Sequence, residues 1–273
     1  MKEVLCERPS VETGVGLLRQ ENKFKDISIQ QFVKDYAIKS VSCCFSGGKD
    51  SLVATHLVMN ELKDRTDIEK WVIFADTGIM LPTTEPFIQD VCQTFGWKLK
   101  IVQGNFFNEA QTKGMPRMKH RWCCHVCKID PMHTFIKTLK PQRGEITGLR
   151  RDESFRRANL NQVYYKKKVR SWAYAPIIGW SEKEVFHYIR KHTLPMPPHY
   201  RLGLHETCMC GVYSNRKQME ILKAQFPDLW QKILTLEAGF RKHGAAFYFN
   251  NKPVRASEIN QQTMIPEQKE TCP

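Results

Sequence analysis

The stretch FSGGKDS, residues 45 to 51, constrains this chain more than any other. An apolar run, VSCCF, leads into it. LVATHLVMNEL follows with apolar residues at helical spacing, so the segment reads as strand, glycine turn, helix. That geometry aims the free backbone N–H groups of a helix's first turn, and its dipole, at one spot where they favour a bound phosphate. Gly47 and Gly48 lack a Cβ, so the backbone can approach an anion closely and take dihedrals closed to other residues. Lys49 adds a point charge, Ser46 and Ser51 add hydroxyl donors, and Asp50 adds a carboxylate suited to Mg²⁺ or to orienting the loop. The string is not a Walker A loop, because the four-residue gap ahead of Gly-Lys-Ser/Thr is missing.

The pattern repeats along the chain. WVIFAD at 71 to 76 reads as a buried strand, followed by a helix from about Glu85 to Phe95 and a third strand, LKIVQ; a helix over 130 to 140 and a strand EITGL at 145 to 149 extend the series. Short apolar strands alternating with amphipathic helices predict an α/β fold, a parallel sheet flanked by helices. Ligands in such sheets bind at the carboxyl ends of the strands, so the loops after Phe45, Ala75 and Leu149 are expected to meet. Beyond Arg150 the alternation weakens: two β segments fit 162 to 176 around the KKK turn, Ser181 and Glu184 form a capping box for WSEKEVFHYIRKH, and 215 to 243 reads as helical. The predicted organisation is an N-terminal helical segment in 1–38 (Gly14 to Tyr36), an α/β nucleotide domain in 39–160, a smaller, mostly helical C-terminal lobe in 161–250, and a poorly ordered tail in 251–273.

No apolar run approaches the eighteen or so residues of a membrane span, and the first residues offer no secretory signal, so a cytoplasmic protein without a membrane partner is expected. In a reducing compartment ten cysteines read as thiols or ligands before disulfides. Five form two groups, Cys123, Cys124 and Cys127 in one, Cys208 and Cys210 in the other; Cys43 and Cys44 sit in an apolar run and read as small core residues. Two close groups of thiolates far apart in sequence can close a four-ligand site, for which zinc and iron–sulfur both have the right chemistry. The formal charge of +14 attracts polyanions, nucleic acid above all.

SGGKDS resembles the PP-loop of the ATP pyrophosphatases, and two further segments resemble the same superfamily: Asp76-Thr77-Gly78 ending the second strand, and Gly148-Leu149-Arg150-Arg151-Asp152-Glu153-Ser154 after a later one. The resemblance implies an adenine nucleotide alpha hydrolase-like, Rossmann-like fold that binds ATP and Mg²⁺. It places Phe45, Ser46, Gly47, Gly48, Lys49, Asp50, Ser51, Asp76, Thr77, Gly148 and Arg150 around the nucleotide, with Lys49, Asp50, Arg150 and Arg151 in catalytic roles. The segment Cys123-Cys124-His125-Val126-Cys127-Lys128-Ile129-Asp130-Pro131 resembles the phosphoadenosine or adenosine phosphosulfate reductase family, in which a Cys-Cys dipeptide is followed by Lys and Pro at these offsets. In cluster-containing members a distant C-x-x-C completes the ligands of a 4Fe-4S cluster. Here the second pair is a C-x-C, Cys208-Met209-Cys210, so any four of the five cysteines, or three with one iron open, remain candidates, with zinc the lesser option. His125, His199 and His205 lie near these cysteines in sequence and could be ligands, but read first as surface residues or as residues behind the ligands.

Reductases of this family use a nucleophilic cysteine in a C-terminal Glu-Cys-Gly-Leu-His segment and often carry an altered PP-loop. This chain lacks the segment and keeps the loop. Both differences favour an ATP pyrophosphatase that adenylates its substrate for sulfur transfer, in the manner of DNA phosphorothioation or tRNA thiolation enzymes. Such a protein would draw on a sulfur donor such as a cysteine desulfurase. Lys113, Arg117, Lys119 and Arg121 before the first cysteines, and Arg156, Arg157, Lys166, Lys167, Lys168 and Arg170 after the arginine motif, would face DNA or tRNA. The alternatives are a thiol-dependent phosphosulfate reductase and a non-catalytic subunit that binds nucleotide and nucleic acid. The oligomeric state is not set by the sequence; a homodimer is one option.

Overall fold

The computed structural model describes residues 26–240, 247–249 and 252–259. After α1 (Ile29–Asp35) come β1 (Ser40–Cys44), α2 (Lys49–Glu61), β2 (Glu69–Asp76), α3 (Thr84–Thr94), β3 (Leu99–Gln103) and α4 (Phe106–Lys113). A short α5 (Trp122–Cys124) runs through a π-helical turn, His125–Ile129, into α6 (Asp130–Ile136). Then follow β4 (Arg143–Ile146), β5 (Val163–Lys166), β6 (Ser171–Tyr174), α7 (Glu182–Lys191), α8 (Arg216–Gln225), α9 (Pro227–Gly239) and a small hairpin of β7 (Phe247–Phe249) and β8 (Lys252–Val254).

Six strands form the main sheet in the order β3-β2-β1-β4-β6-β5, all parallel except the antiparallel edge strand β5. The order reverses between β1 and β4, which opens a crevice at their carboxyl ends. Strand alternation divides the core. Val41, Cys43, Val72 and Phe74 pack with Leu52, Ile88, Val185 and Tyr174 under α1, α2, α3 and α7. Cys44, Ile73, Ala75 and Val102 pack instead with Met132 and Ile136 of α6. The α7 start is fixed by the capping box, in which Ser181 Oγ accepts from the Glu184 N–H at 3.3 Å and Glu184 Oε2 accepts from the Ser181 N–H at 2.7 Å.

A second core gathers Phe106, Trp122, Cys127, Met209, Trp230 and Phe247 from α4, α5, α8, α9 and β7. Several sequence boundaries shift. Residues 163–174, expected in the C-terminal lobe, add β5 and β6 to the main sheet, because β6 pairs in parallel with β4. The tail expected from 251 is ordered over 252–259: Lys252–Val254 pairs with Phe247–Phe249, and Ala256 and Ile259 are buried. Of the helix expected over Gly14 to Tyr36, the described part is Ile29–Asp35; its first half lies outside the described residues. The fourth parallel strand ends at Ile146, releasing Thr147 to Leu149 as a loop. Among the described residues no helix is long and apolar enough to cross a membrane.

Candidate active site

Gly47 takes φ +82, and a Cβ there would lie 2.8 Å from Thr84 Cγ2, so the turn after β1 needs glycine at this position. Gly48 is the helix N-cap and brings no capping side chain, which leaves the first N–H groups of α2 without an intrahelical partner. The Lys49 N–H faces the Tyr200 hydroxyl at 3.4 Å. Ser51 Oγ donates to the Gly48 carbonyl, accepts from the Ser46 N–H and lies 3.0 Å from Ser46 Oγ, so the loop is braced internally. Phe45 sits beneath it in the main core.

The loop after β4 presses directly on this turn. A Cβ on Gly148 would lie 2.6 Å from the Asp50 carbonyl carbon and the Ser51 nitrogen, closer than real contacts allow. The approach delivers Arg150, 4% exposed, whose Nε donates to Asp50 Oδ1 at 2.7 Å and whose Nη1 donates to Asp152 Oδ1 and to the Trp180 carbonyl. Asp50 Oδ2 is 3.1 Å from Lys49 Nζ, which also meets Glu182 at 3.1 Å and lies over the Phe186 and Tyr200 rings. Burial alone would lower the Lys49 pKa, but Asp50, Tyr200 and Glu182 outweigh it and raise the pKa, so the side chain is a cation at neutral pH. Both Asp50 oxygens therefore face cations, and this carboxylate orients Lys49 and Arg150.

Arg151 is placed differently from the expectation. Its Nε donates to the Leu160 carbonyl and its Nη2 to Asp26, away from the phosphate turn. Asp76, at the carboxyl end of β2, accepts from the Gly78 N–H through Oδ1 and enters no ion pair among the described residues. Its oxygens suit a hard cation such as Mg²⁺ better than those of Asp50, which are already matched to cations.

Thr77, buried beside Asp76, brings the second half of the site into contact with the first: its Oγ1 is 3.6 Å from Cys208 Sγ. The segment around Cys208 is extended and bridges antiparallel to Met80, with the Leu81 N–H donating to the Thr207 carbonyl and the Met209 N–H to the Ile79 carbonyl. Cys210 is buried beside Met209 in the second core and Cys208 packs against it, while Thr207 Oγ1 donates to the Ser46 carbonyl at 3.1 Å.

Cys123 and Cys124, in α5, meet this pair. The four are free thiols that interact electrostatically in sequence, Cys208 with Cys210, Cys210 with Cys123, and Cys123 with Cys124. The neighbouring Cys124 and burial raise the Cys123 pKa to about 12, and the neighbouring Cys123 lowers that of Cys124. Cys127 stands apart. It is fully buried, burial pushes its thiol pKa up to about 11, and its backbone packs on Gly104, where a Cβ would lie 2.4 Å from the Cys127 carbonyl oxygen.

Among the described residues no three His, Cys, Asp or Glu side chains converge on one point as ligands of a single ion do. The ligands of an iron–sulfur cluster need not converge, since each binds a different iron. The donor set, four mutually contacting thiols with no carboxylate among them, fits a thiolate-bound cluster. His199 is 1% exposed with Nε2 unpartnered, and burial and His205 lower its pKa to about 4; His125 and His205 are exposed. Cys43 is a core residue as expected, whereas Cys44 is half-buried with Sγ 4.0 Å from Glu145 Oε1.

Four residues of the site escape the motifs: Tyr200, Thr207, Glu182 and Glu206. Glu206 has solvent on one side, yet the protein around it raises its carboxyl pKa against the pull of Lys128, Arg157 and Lys49. Its charged neighbours come from the phosphate loop, the arginine loop and the turn after the first cysteines, so these segments lie together around it. The one sequence signal for Tyr200, Thr207 and Glu206 was position, in the PPHYRLGLHETCMC stretch leading to the second thiol pair, and for Glu182 its place at the start of the Ser181-capped helix.

The phosphoadenosine phosphosulfate reductase domain model matches residues 40–241. An uncharacterised protein of Methanocaldococcus jannaschii is 32% identical over 201 residues, which are 71% of this chain and 40% of that relative, so this chain spans less than half its length. The adenosine 5'-phosphosulfate reductase of Bacillus cytotoxicus is 30% identical over 191 residues, 68% of this chain and 77% of that enzyme. Among solved structures, the U34-tRNA thiolase NcsA of Methanococcus maripaludis, with its [4Fe-4S] cluster, aligns with a TM-score of 0.47 at 17% identity, covering 77% of this chain and 79% of that one.

Proposed function

The chain belongs to the phosphoadenosine phosphosulfate reductase family, and from that premise we propose that it is an ATP pyrophosphatase that activates an oxygen of nucleic acid for replacement by sulfur. The observation that carries the reading is the intact SGGKDS turn, whose uncapped helix start, Lys49 and Arg150 form a cationic cradle one residue from a group of thiols. The free N–H groups of α2 and the Lys49 ammonium would bind ATP phosphates, with Mg²⁺ held from the Asp76 side. Attack of the acceptor oxygen on the α-phosphorus forms a P–O bond as the bond to pyrophosphate breaks, and Lys49 and Arg150 offset the charge that develops on the leaving group. A sulfur nucleophile then forms its bond to the acceptor atom and AMP departs with the activated oxygen.

Cys123, Cys124, Cys208 and Cys210 would hold an iron–sulfur cluster, which when bound supplies a place for the sulfur-bearing species beside the nucleotide. The sulfur itself comes from a donor protein such as a cysteine desulfurase. Pyrophosphate release from ATP, dependent on a nucleic-acid acceptor and lost in Lys49→Ala, is the expected result. Release of sulfite from adenosine phosphosulfate without any ATP requirement would instead establish the second reading, a thiol-dependent reductase, which the 30% identity to a protein of that name favours.

A further inference from the structure

Large apolar side chains at a protein surface cost hydration free energy and mark binding surfaces when they gather beside a site. Five are exposed among the described residues: Met118, Phe155, Tyr164, Tyr165 and Tyr213. Phe155 is 94% exposed, the most of any, and Tyr213 is 51% exposed. Both belong to segments that build the site. Phe155 opens the turn that carries Arg157, one of the cations facing Glu206. Tyr213 lies three residues beyond Cys210, directly after the buried Gly211 and Val212, and its hydroxyl accepts from Arg121, whose guanidinium also stands over the ring at 5.7 Å. Arg121 in turn immediately precedes the helix of Cys123 and Cys124.

The segment from Glu206 to Tyr213 therefore runs between two aromatic–arginine stations and carries two of the thiols on the way. Eight extended residues span at most about 28 Å, and this segment is not fully extended, so the stations bracket the thiols within a few nucleotides' reach. Cations accompany the aromatics throughout: Arg156 adjoins Phe155, Lys166 lies 5.8 Å from the Tyr164 ring, and Arg117 stands 4.3 Å from the Tyr248 ring next to exposed Lys119.

We infer that this rim is a binding track for a single-stranded polynucleotide, with Phe155 and Tyr213 as stacking platforms on either side of the acceptor position. Bare aromatic faces interleaved with arginine match unpaired bases on a phosphate backbone, and the base faces of a duplex are hidden within its own stack. The +14 net charge supplies the complementary field. The inference rests on the nucleic-acid part of the function proposed above and adds the strandedness of the substrate and the residues that grip it.

The test measures anisotropy of labelled oligonucleotides of roughly 12 nucleotides, within the usual site sizes for such surfaces. Single-stranded RNA, single-stranded DNA and the matching duplex are each titrated with the full chain at two salt concentrations. At least one single strand should bind more tightly than the duplex, the RNA and DNA arms deciding which nucleic acid is preferred. Phe155→Ala and Tyr213→Ala should each weaken that binding by roughly tenfold, as loss of one stacked base does, without changing the salt dependence. Arg156→Ala should reduce the salt slope by about one. Equal or tighter duplex binding, or variants that bind like the parent, would overturn the inference. So would variants that keep oligonucleotide binding but lose binding to a purified cysteine desulfurase, which would make the rim a protein dock. ATP–pyrophosphate exchange, run in parallel, separates the two proposals: exchange supported by the duplex without single-strand binding sinks the track alone, and strand binding without exchange sinks the adenylation.

Discussion

The phosphate turn and the thiol group touch through neighbouring residues, Thr207 on one side and Cys208 on the other, yet they are built in opposite ways. The turn is local: seven consecutive residues, one glycine at positive φ, and a helix start, all delivered by β1. Its long-range part is the Gly148–Arg150 loop, pressed against it by the neighbouring strand β4. The thiol group is assembled from α5 and from an extended segment more than eighty residues later, joined to the first half by backbone pairing with 79–81. A site made by one strand inherits the rigidity of the sheet, whereas a site made by two remote segments depends on whatever holds them together. The second core and the pairing with 79–81 are what do so here.

The sharpest break in this comparison should come from Asp50→Ala. It removes one carboxylate shared by the nearly buried Arg150 and by Lys49, leaving them Asp152 and Glu182, and losing such charged hydrogen bonds costs about 1.5–3 kcal/mol. Denaturant titration should show that loss together with abolished pyrophosphate release; a variant that keeps both stability and activity would refute the buried-pair account. The next effect concerns buried His199, whose ring lies against that of Tyr200. Its folded pKa of about 4 lies below the ordinary 6.5, so the unfolded chain binds the proton more readily between these values. The stabilisation is fully present above about pH 6.5 and falls away as the pH drops towards 4, by up to about 3 kcal/mol. Melting temperatures across that window should fall steeply for the parent and more gently for His199→Gln; parallel curves would count against it.

The two groups can also be separated by metal content. Cys210→Ser should lose most of its iron after anaerobic reconstitution while still binding ATP. Cys127→Ala should keep its iron, since Cys127 is fully buried and closely packed on Gly104. Iron measured by atomic absorption, with nucleotide binding by calorimetry, decides it, and the reverse pattern would place Cys127 in the ligand set. The smallest expected effect is that of Thr207→Val, which deletes the side-chain bond to the Ser46 carbonyl and should cost about 1 kcal/mol. It should weaken ATP binding more than iron retention, because the backbone pairing that places Cys208 stays. Equal damage to both would show that the bond itself holds the thiols.

The same contrast explains what could be read in advance. Strands, helices and the phosphate turn were legible because their signals are contiguous: apolar runs, helical spacing, the Ser181–Glu184 cap. The place of β5 and β6 in the main sheet was not, since pairing with β4 is a long-range choice that a short SWAY or VYYK run does not declare. Arg150 and Arg151 are adjacent and chemically alike. Only the approach of Gly148 to the Asp50 backbone decides which of them turns towards the phosphate side. Spacing alone left five cysteines equivalent; the extended bridge at Cys208 and the close packing of Cys127 on Gly104 distinguish them.

That bridge also acts as a ruler. Thr207 grips the SGGKDS loop and the next residue presents the first thiol, so the gap between loop and thiol group is one residue of chain. Substitution at these positions can loosen the grip or remove a thiol, but it cannot lengthen the gap. Only an insertion or deletion would, and by throwing alternate side chains to the wrong side it would disconnect nucleotide and thiols in a single step.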